Sequence, residues 1–234
     1  MQWNVLDTGK ASAEENMRID RELLASLGKR ERPLLHFYEW EKESATYGYF
    51  VRIERLINMD KAKERNLDLA RRPTGGGIVF HIWDFAFSVL IPASHSAFSL
   101  NPLASYAFVN ERVKRAISFF LKADVELAND SLSDLRGERG NFCMAKPTKY
   151  DVMWQGKKIA GAAQRRVKDG LLHQGTIALS MPSKDLLQEV LCIDASVIDA
   201  MFRYTFPLLE ERREKKSLKV AKEELKEHLL RSMQ

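Results

Sequence analysis

A run of three consecutive glycines at residues 75–77 constrains this chain more than any other stretch. Glycine has no side chain, so the backbone can adopt positive φ and approach a ligand closely. Arg71 and Arg72 stand just before the run, and an apolar segment typical of a buried strand begins at Ile78. Residues 71–81 therefore predict one of two structures. One is a turn that binds a carboxylate or phosphate through backbone N–H groups and arginines, and the other is a simple tight turn between strands.

The composition is that of a globular protein. The chain has 234 residues, 45% hydrophobic and 29% charged, which fits one large domain or two small ones. No apolar run is long enough to span a bilayer and the N-terminus lacks a signal-peptide pattern, so we expect a cytoplasmic protein without membrane contact.

The two cysteines, Cys143 and Cys192, do not form a disulfide framework. The net charge of +5 favours an anionic substrate or acidic partner but is too small to predict nucleic-acid binding.

Segments typical of strands and helices follow one another without a regular βαβ order. Short apolar segments at residues 34–40 and 86–92 predict strands, and apolar residues at helical spacing predict helices at 13–27 and 106–121. This pattern predicts a single α+β domain built on a largely antiparallel sheet flanked by helices.

The C-terminal residues 208–234 are dense in Glu, Lys and Arg and carry only a narrow apolar stripe. We interpret them as a charged helical tail that lies solvated on the surface, with a partner-binding helix as the alternative. The predicted catalytic domain then covers residues 1–207. The polar segment 129–141 predicts a loop.

A second group of motifs follows further along the chain. Residues 140–151 contain Cys143, followed by Pro-Thr-Lys-Tyr-Asp at 147–151. Residues 156–164 place Lys158 before small residues, which suits a cation that holds a carboxylate or the phosphate of an acyl-adenylate. A polar His-Gln-Gly-Thr-Ile segment at 173–177 starts another strand.

Three ordered motifs together resemble the biotin/lipoate protein ligase superfamily, in the branch of lipoate–protein ligase A and the related octanoyltransferases. They are Arg-Arg-Pro-Thr-Gly-Gly-Gly-x-Val-x-His at 71–81, Gly-Lys-Lys-Ile-Ala-Gly-Ala-Ala-Gln at 156–164 and His-Gln-Gly-Thr-Ile at 173–177. The resemblance covers roughly residues 3–180. It implies an enzyme that joins lipoate or octanoate to a lysine of a lipoyl domain. Such domains occur in 2-oxoacid dehydrogenase complexes and in the glycine cleavage H protein.

The resemblance also implies roles for individual residues. Lys158 would be catalytic and would contact the acyl carboxylate or the adenylate phosphate. Arg72 would hold the nucleotide phosphate, and the glycine loop would border the acyl pocket. The substrate-binding residues implied in this way are Arg72, Gly75, Gly76, Gly77, His81 and Gly161. No protein ligand to a metal is expected.

His81 departs from the family pattern. Family members commonly carry Asp directly after this histidine, whereas here Ile82-Trp83-Asp84 follows. A purely structural histidine at a strand end is therefore the alternative to a substrate-binding one.

Cys143 is the third candidate for chemistry. Cys-Met-x-x-Pro-Thr-x-Tyr-Asp matches the place where some octanoyltransferases carry Cys-Phe-x-x-Pro-Ser-x-Tyr-Glu, whose cysteine takes the acyl group as a thioester. By that resemblance Cys143 would be a nucleophile with Lys158 favouring its thiolate. A buried structural thiol is the alternative.

Two mechanisms and one inactive state follow from these motifs. Our main expectation is ATP-dependent ligation of lipoate through lipoyl-AMP, with ATP and Mg²⁺, because the triple glycine is intact where similar octanoyltransferases often carry arginine. The alternative is transfer of octanoate from acyl carrier protein through Cys143. That cysteine favours transfer, as does the lack of room in the tail for the accessory domain of long ligases. A catalytically inactive binding subunit is a third hypothesis.

Overall fold

The computed structural model describes residues 2–129, 142–145, 147–209 and 215–234. Within these ranges the chain forms ten β-strands and six α-helices. The strands are β1 (Asn4–Ala11), β2 (Leu34–Trp40), β3 (Ser44–Tyr47), β4 (Asp68–Arg71), β5 (Ile78–His81), β6 (Asp84–Pro92), β7 (Glu126–Leu127), β8 (Val152–Trp154), β9 (Lys157–Val167) and β10 (Gly170–Ala178). The helices are α1 (Ala13–Ala25), α2 (Met59–Glu64), α3 (Pro102–Leu121), α4 (Lys184–Val190), α5 (Ala195–Tyr204) and α6 (Lys215–Met233). Of the predicted loop at 129–141, all but Asn129 lies outside the described residues.

Seven strands form the main sheet in the order β1-β2-β6-β10-β9-β8-β7. Only the β1–β2 pair at one edge is parallel, and the other neighbours are antiparallel. Strand β10 is paired over its whole length with β6 and from Gly170 to Ile177 with β9, which explains its nearly continuous burial. The predicted α+β class with a largely antiparallel sheet is confirmed.

A smaller sheet of order β4-β3-β5 carries the glycine motif. Strands β4 and β5 lie on either side of β3, so the segment between them, residues 72–77, crosses the end of β3. We call this segment the glycine loop. The two ends of the loop are therefore fixed by the pairing of three short strands.

Helix α6 is not the solvated tail that the sequence suggested. Its stripe at Leu218, Leu225, Leu229 and Met233 is buried in the same apolar core as the inner face of α3 and one face of the main sheet. Lys222 on the same helix pairs with Glu39 of β2. The sequence interpretation failed because a narrow stripe of large side chains is enough to bury one face of a helix.

No helix in the described ranges is long and apolar enough to cross a membrane.

The burial of α6 leads to a stability prediction. Leu225 is 0% exposed, so Leu225→Ala should lower the free energy of unfolding by about 2–5 kcal/mol through lost apolar contact and a residual cavity. Val220 on the same helix is 53% exposed, and Val220→Ala should change the free energy of unfolding by less than about 0.5 kcal/mol. Urea unfolding followed by circular dichroism measures both values. Equal, small effects would show that α6 does not stabilise the core.

Candidate active site

A cavity of about 430 Å³ opens between the glycine loop and strands β9 and β10. It gathers Lys158 and all of the substrate-binding residues that the resemblance implies. They are Arg72, Gly75, Gly76, Gly77, His81, Lys158 and Gly161. Apolar side chains of Met17, Trp40 and Val79 line the same cavity. A pocket with an apolar wall and a few placed polar groups suits an acyl substrate with a reactive end.

The glycine loop is tied to the residues after β3 by its backbone. The Gly48 N–H donates to the Gly77 carbonyl at 3.2 Å, and the Tyr49 N–H donates to the Thr74 carbonyl at 2.9 Å. Gly76 has φ of 84°, a conformation that favours glycine. A Cβ on Gly48 would overlap the Gly76 carbonyl oxygen, so glycine is needed on both sides of this contact.

The Arg72 side chain holds the inside of the glycine loop. Its guanidinium is buried and donates to the carbonyls of Gly75 at 2.9 Å, Gly77 at 2.7 Å and Thr46 at 3.0 Å. The planar fork of arginine can satisfy several carbonyls at once, which a lysine cannot do in the same geometry. Its position supports a role in shaping the loop, and the implied contact with a nucleotide phosphate stays a prediction.

Lys158 lies on β9 in a buried ion pair. Its Nζ is 2.8 Å from Asp151 Oδ2, and both side chains are largely buried. The same carboxylate accepts hydrogen bonds from the Thr148 N–H at 2.7 Å and from its hydroxyl at 2.9 Å. Asp151 therefore fixes the direction of the Lys158 ammonium, which also lines the cavity.

Gly161 makes room for this ammonium. A Cβ on Gly161 would overlap the Lys158 Cε and Nζ atoms. The two residues share one face because the pairing of β8 with β9 shifts register between Val152 and Met153, which leaves one extra residue in β9. The implied substrate-binding role of Gly161 is thus accompanied by a packing role beside Lys158.

His81 is the last residue of β5 and has a partner at each ring nitrogen. Nδ1 is 2.6 Å from Asp84 Oδ2, Nε2 is 2.8 Å from Thr46 Oγ1, and the ring stacks on Trp40 with centroids 4.1 Å apart. Asp84, three residues after His81 and two positions beyond the Asp of the family pattern, thus places a carboxylate against the histidine. Burial raises the pKa of Asp84, but the charge and hydrogen bond of His81 outweigh it and leave that pKa below its usual value. These contacts favour the structural interpretation of His81.

Cys143 is the first residue of a short 3₁₀ turn, Cys143–Ala145. Its two neighbours in the chain, Phe142 and Met144, line the cavity. Phe142 is buried and pairs with Ile78 at the start of β5. The Met144 carbonyl accepts a hydrogen bond from Thr205 Oγ1 at 2.9 Å. The side chain of Cys143 itself lies outside what the structure describes. In the chain, Cys143 therefore lies between two residues that line the cavity.

A buried hydrogen-bond network, not predicted from the sequence, supports the glycine loop. Thr74 Oγ1 donates to Gln174 Oε1 at 2.7 Å, and Gln174 Nε2 donates to Asp20 Oδ2 at 2.6 Å. A carboxylate accepts hydrogen bonds only, so Asp20 fixes which end of the Gln174 amide faces Thr74. Asp20 lies on α1, and this helix therefore helps to position the glycine loop.

The network continues away from the cavity through Asp20. Ser88 Oγ donates to Asp20 Oδ2 at 2.6 Å, and His36 Nδ1 is 2.9 Å from Asp20 Oδ1. Asp20, His36 and Ser88 are each 0% exposed. The sequence contains one signal for this network, because His36 and Ser88 are polar residues inside otherwise apolar strands. Their common partner Asp20 is far away in the chain, 16 residues from His36 and 68 residues from Ser88.

Comparison with known proteins places the chain among enzymes of protein lipoylation. Residues 12–227 match the family model described as the lipoyl protein ligase A/B catalytic domain. The octanoyltransferase LipM of Lysinibacillus sphaericus is 33% identical over 193 residues, which cover 79% of this chain and 68% of that protein. The octanoyltransferase LipM of Anoxybacillus flavithermus is 30% identical over 216 residues, which cover 90% of this chain and 73% of that protein.

Solved structures share the fold. A lipoate-protein ligase A crystallised with ATP superposes with a TM-score of 0.74 at 24% identity, covering 99% of this chain and 84% of that one. A bipartite lipoate protein ligase of Thermoplasma acidophilum, studied with its E2 lipoyl domain, gives a TM-score of 0.72 at 23% identity. The superposition covers 99% of this chain and 82% of that one.

The Asp20–Gln174 pair leads to a prediction with an internal rescue. Gln174→Glu would set two carboxylates 2.6 Å apart in a buried site, which should disturb the Thr74 contact and raise the KM for the acyl substrate roughly tenfold. Adding Asp20→Asn restores a donor–acceptor pair and should return KM to within about threefold of wild type. Steady-state kinetics measure both variants. Additive losses in the double variant would contradict a positioning role for this pair.

Proposed function

Because the chain belongs to the lipoyl protein ligase A/B catalytic domain family, we propose that it moves an octanoyl group from acyl carrier protein to a lysine of a lipoyl domain. Relatives of about 30% identity that carry the name octanoyltransferase LipM support this alternative better than our main expectation of lipoate ligation. A lipoyl domain as acceptor is supported by the archaeal ligase that was studied with one.

The observation that carries this proposal is the position of Cys143. Phe142 and Met144 line the same cavity as Lys158, and Cys143 lies between them in the chain. A transferase must hold the acyl group covalently, and a thiolate is the side chain best suited to accept it from a thioester. The family match and this position together favour a covalent role over that of a structural thiol.

The proposed reaction has two balanced steps. In the first, the Cys143 thiolate attacks the octanoyl carbonyl, the bond to the donor sulfur breaks, and the donor leaves as a thiolate that takes up the proton lost by Cys143. In the second, the lysine amine attacks the enzyme thioester, the amide forms, and the Cys143 thiol is released. Each step passes through an oxyanion, and we assign its stabilisation to the Lys158 ammonium, which lines the cavity.

The apolar part of the wall suits the hydrocarbon chain. Met17, Trp40 and Val79 line the cavity together with the buried Tyr38. Each methylene removed from water there contributes about 0.8 kcal/mol. Binding energy from the chain can thus position the carbonyl for reaction.

ATP-dependent lipoate ligation is the second candidate. The intact triple glycine and two lysines that line the cavity, Lys149 and Lys158, favour it, since backbone N–H groups and ammonium groups both suit a phosphate. ATP supplies the leaving group in that chemistry. In the ranges that the structure covers, no group of three or more His, Cys, Asp or Glu residues is arranged to hold a metal ion.

Lys158 provides a test that applies to both mechanisms. Lys158→Gln keeps a hydrogen-bond donor for the buried Asp151 but removes the charge, and should reduce kcat/KM for acyl transfer by at least a hundredfold. Its neighbour Lys157 is exposed, so Lys157→Gln should leave kcat/KM within about twofold. Mass spectrometry of apo lipoyl domain measures the rates, with octanoyl carrier protein for transfer and with lipoate and Mg-ATP for ligation. Near-normal turnover by folded Lys158→Gln would exclude the proposed role.

Cys143 decides between transfer and ligation. With octanoyl carrier protein and no ATP, the wild-type chain should gain one octanoyl group, and peptide mapping should place it on Cys143. Cys143→Ser should form no adduct and lose at least about a thousandfold in transfer, since a hydroxyl without a strong base is a poor nucleophile. Lipoylation by Cys143→Ser that depends on lipoate and Mg-ATP, at the wild-type rate, would instead establish the ligase.

A further inference from the structure

A second cavity, also of about 430 Å³, adjoins the first, and Arg72 lines both. Three other arginines line the second cavity: Arg21, Arg71 and Arg165. We call it the arginine cavity. Asp169 is the one acidic residue in its described lining, so cations outnumber acids there. A site with this charge favours an anionic group.

The three arginines are held by contacts that leave room for a ligand, and the Arg71 guanidinium lies 5.5 Å from the centre of the Tyr47 ring. Arg165 uses Nη1 on the Pro73 carbonyl at 3.1 Å, and its guanidinium lies 5.0 Å from the centre of the Tyr49 ring. Arg21 donates to the Arg71 carbonyl at 3.3 Å and pairs with Glu14 on the surface. A guanidinium has five N–H donors, and these contacts occupy only part of that number.

Strand β9 connects the two cavities. Gln164 lines the first cavity and Arg165 lines the second. The extra residue in β9 puts Lys158 on the same face as Gly161, and alternation along the strand then brings Arg165 to that face too. Seven residues of strand with one bulge separate the Cα atoms of Lys158 and Arg165 by roughly 20 Å. The small residues Gly161 and Ala163 lie along this path.

We propose that the arginine cavity binds the phosphate of the phosphopantetheine arm that carries the acyl group on the donor. This inference rests on the proposed function, which makes an acyl thioester of carrier protein the donor. The sulfur and phosphorus of such an arm are about 17 Å apart when it is extended, by ordinary bond geometry. With the thioester beside Lys158, an arm lying along β9 brings its phosphate to Arg165 and Arg71. Arginine forks suit a phosphate diester because each donates two parallel hydrogen bonds.

Binding of the arm alone tests this site without requiring catalysis. Calorimetry would compare 4′-phosphopantetheine with pantetheine, which lacks the phosphate. For the wild-type chain we expect the phosphate to improve Kd by about tenfold or more, as charge-assisted hydrogen bonds do. The double variant Arg71→Gln/Arg165→Gln should bind the two compounds equally. Lys168→Gln removes one charge from the exposed β9–β10 turn and should keep the preference.

Equal binding of the two compounds by the wild-type chain would overturn the proposal, as would a preference that persists in the double variant. Each single arginine variant should lose part of the preference, which guards against misfolding of the double variant.

Holo carrier protein and coenzyme A both contain the arm, so both are compared. A loss of affinity in the double variant for coenzyme A alone would assign the cavity to the free coenzyme and contradict the carrier-protein donor. A chain that shows the phosphate preference but forms no adduct on Cys143 would refute the proposed function and leave this site standing.

Discussion

The buried Arg72 guanidinium is the interaction on which the cavity depends. The guanidinium donates to the carbonyls of Gly75, Gly77 and Thr46, and the Gly77 carbonyl also accepts from the Gly48 N–H. Leaving a buried carbonyl without a partner costs about 1–3 kcal/mol, so these contacts offset the cost of burying the carbonyls of the loop. The flexible part of the motif is thereby held in one conformation by its own arginine, and the backbone around the cavity is organised before any ligand arrives.

Two buried carboxylates orient the polar groups that face the cavity. Asp20 holds the Gln174 amide, and Asp151 holds the Lys158 ammonium. Burying a carboxylate is costly unless hydrogen bonds compensate, and each of these two has additional donors, Ser88 in one case and Thr148 in the other. The side chains that face the cavity are therefore fixed by partners behind them, which is what pre-organised electrostatic stabilisation requires.

The sequence predicted the local parts of the site and missed the long-range ones. The glycine loop and the Lys158 motif are contiguous, so their residue types and the family resemblance were enough to place them in one cavity. Asp20 acts through partners set by strand register and by helix packing, which single-sequence patterns do not determine. The burial of α6 was missed for a similar reason, because its stripe gains an apolar partner only when α3 and the main sheet are assembled.

The spacing of the lysine motif has a structural cause in the bulge of β9. In a regular strand Lys158 and Gly161, three residues apart, would point to opposite faces. The extra residue opposite β8 reverses this alternation, and the ammonium then occupies the space that a Cβ at position 161 would need. The motif therefore combines a cation, a bulge and a missing side chain on one face of β9. Arg165 lies on the face of β9 that meets the glycine loop. The bulge therefore puts Lys158, which lines the first cavity, on the same face of β9 as Arg165, which lines the arginine cavity.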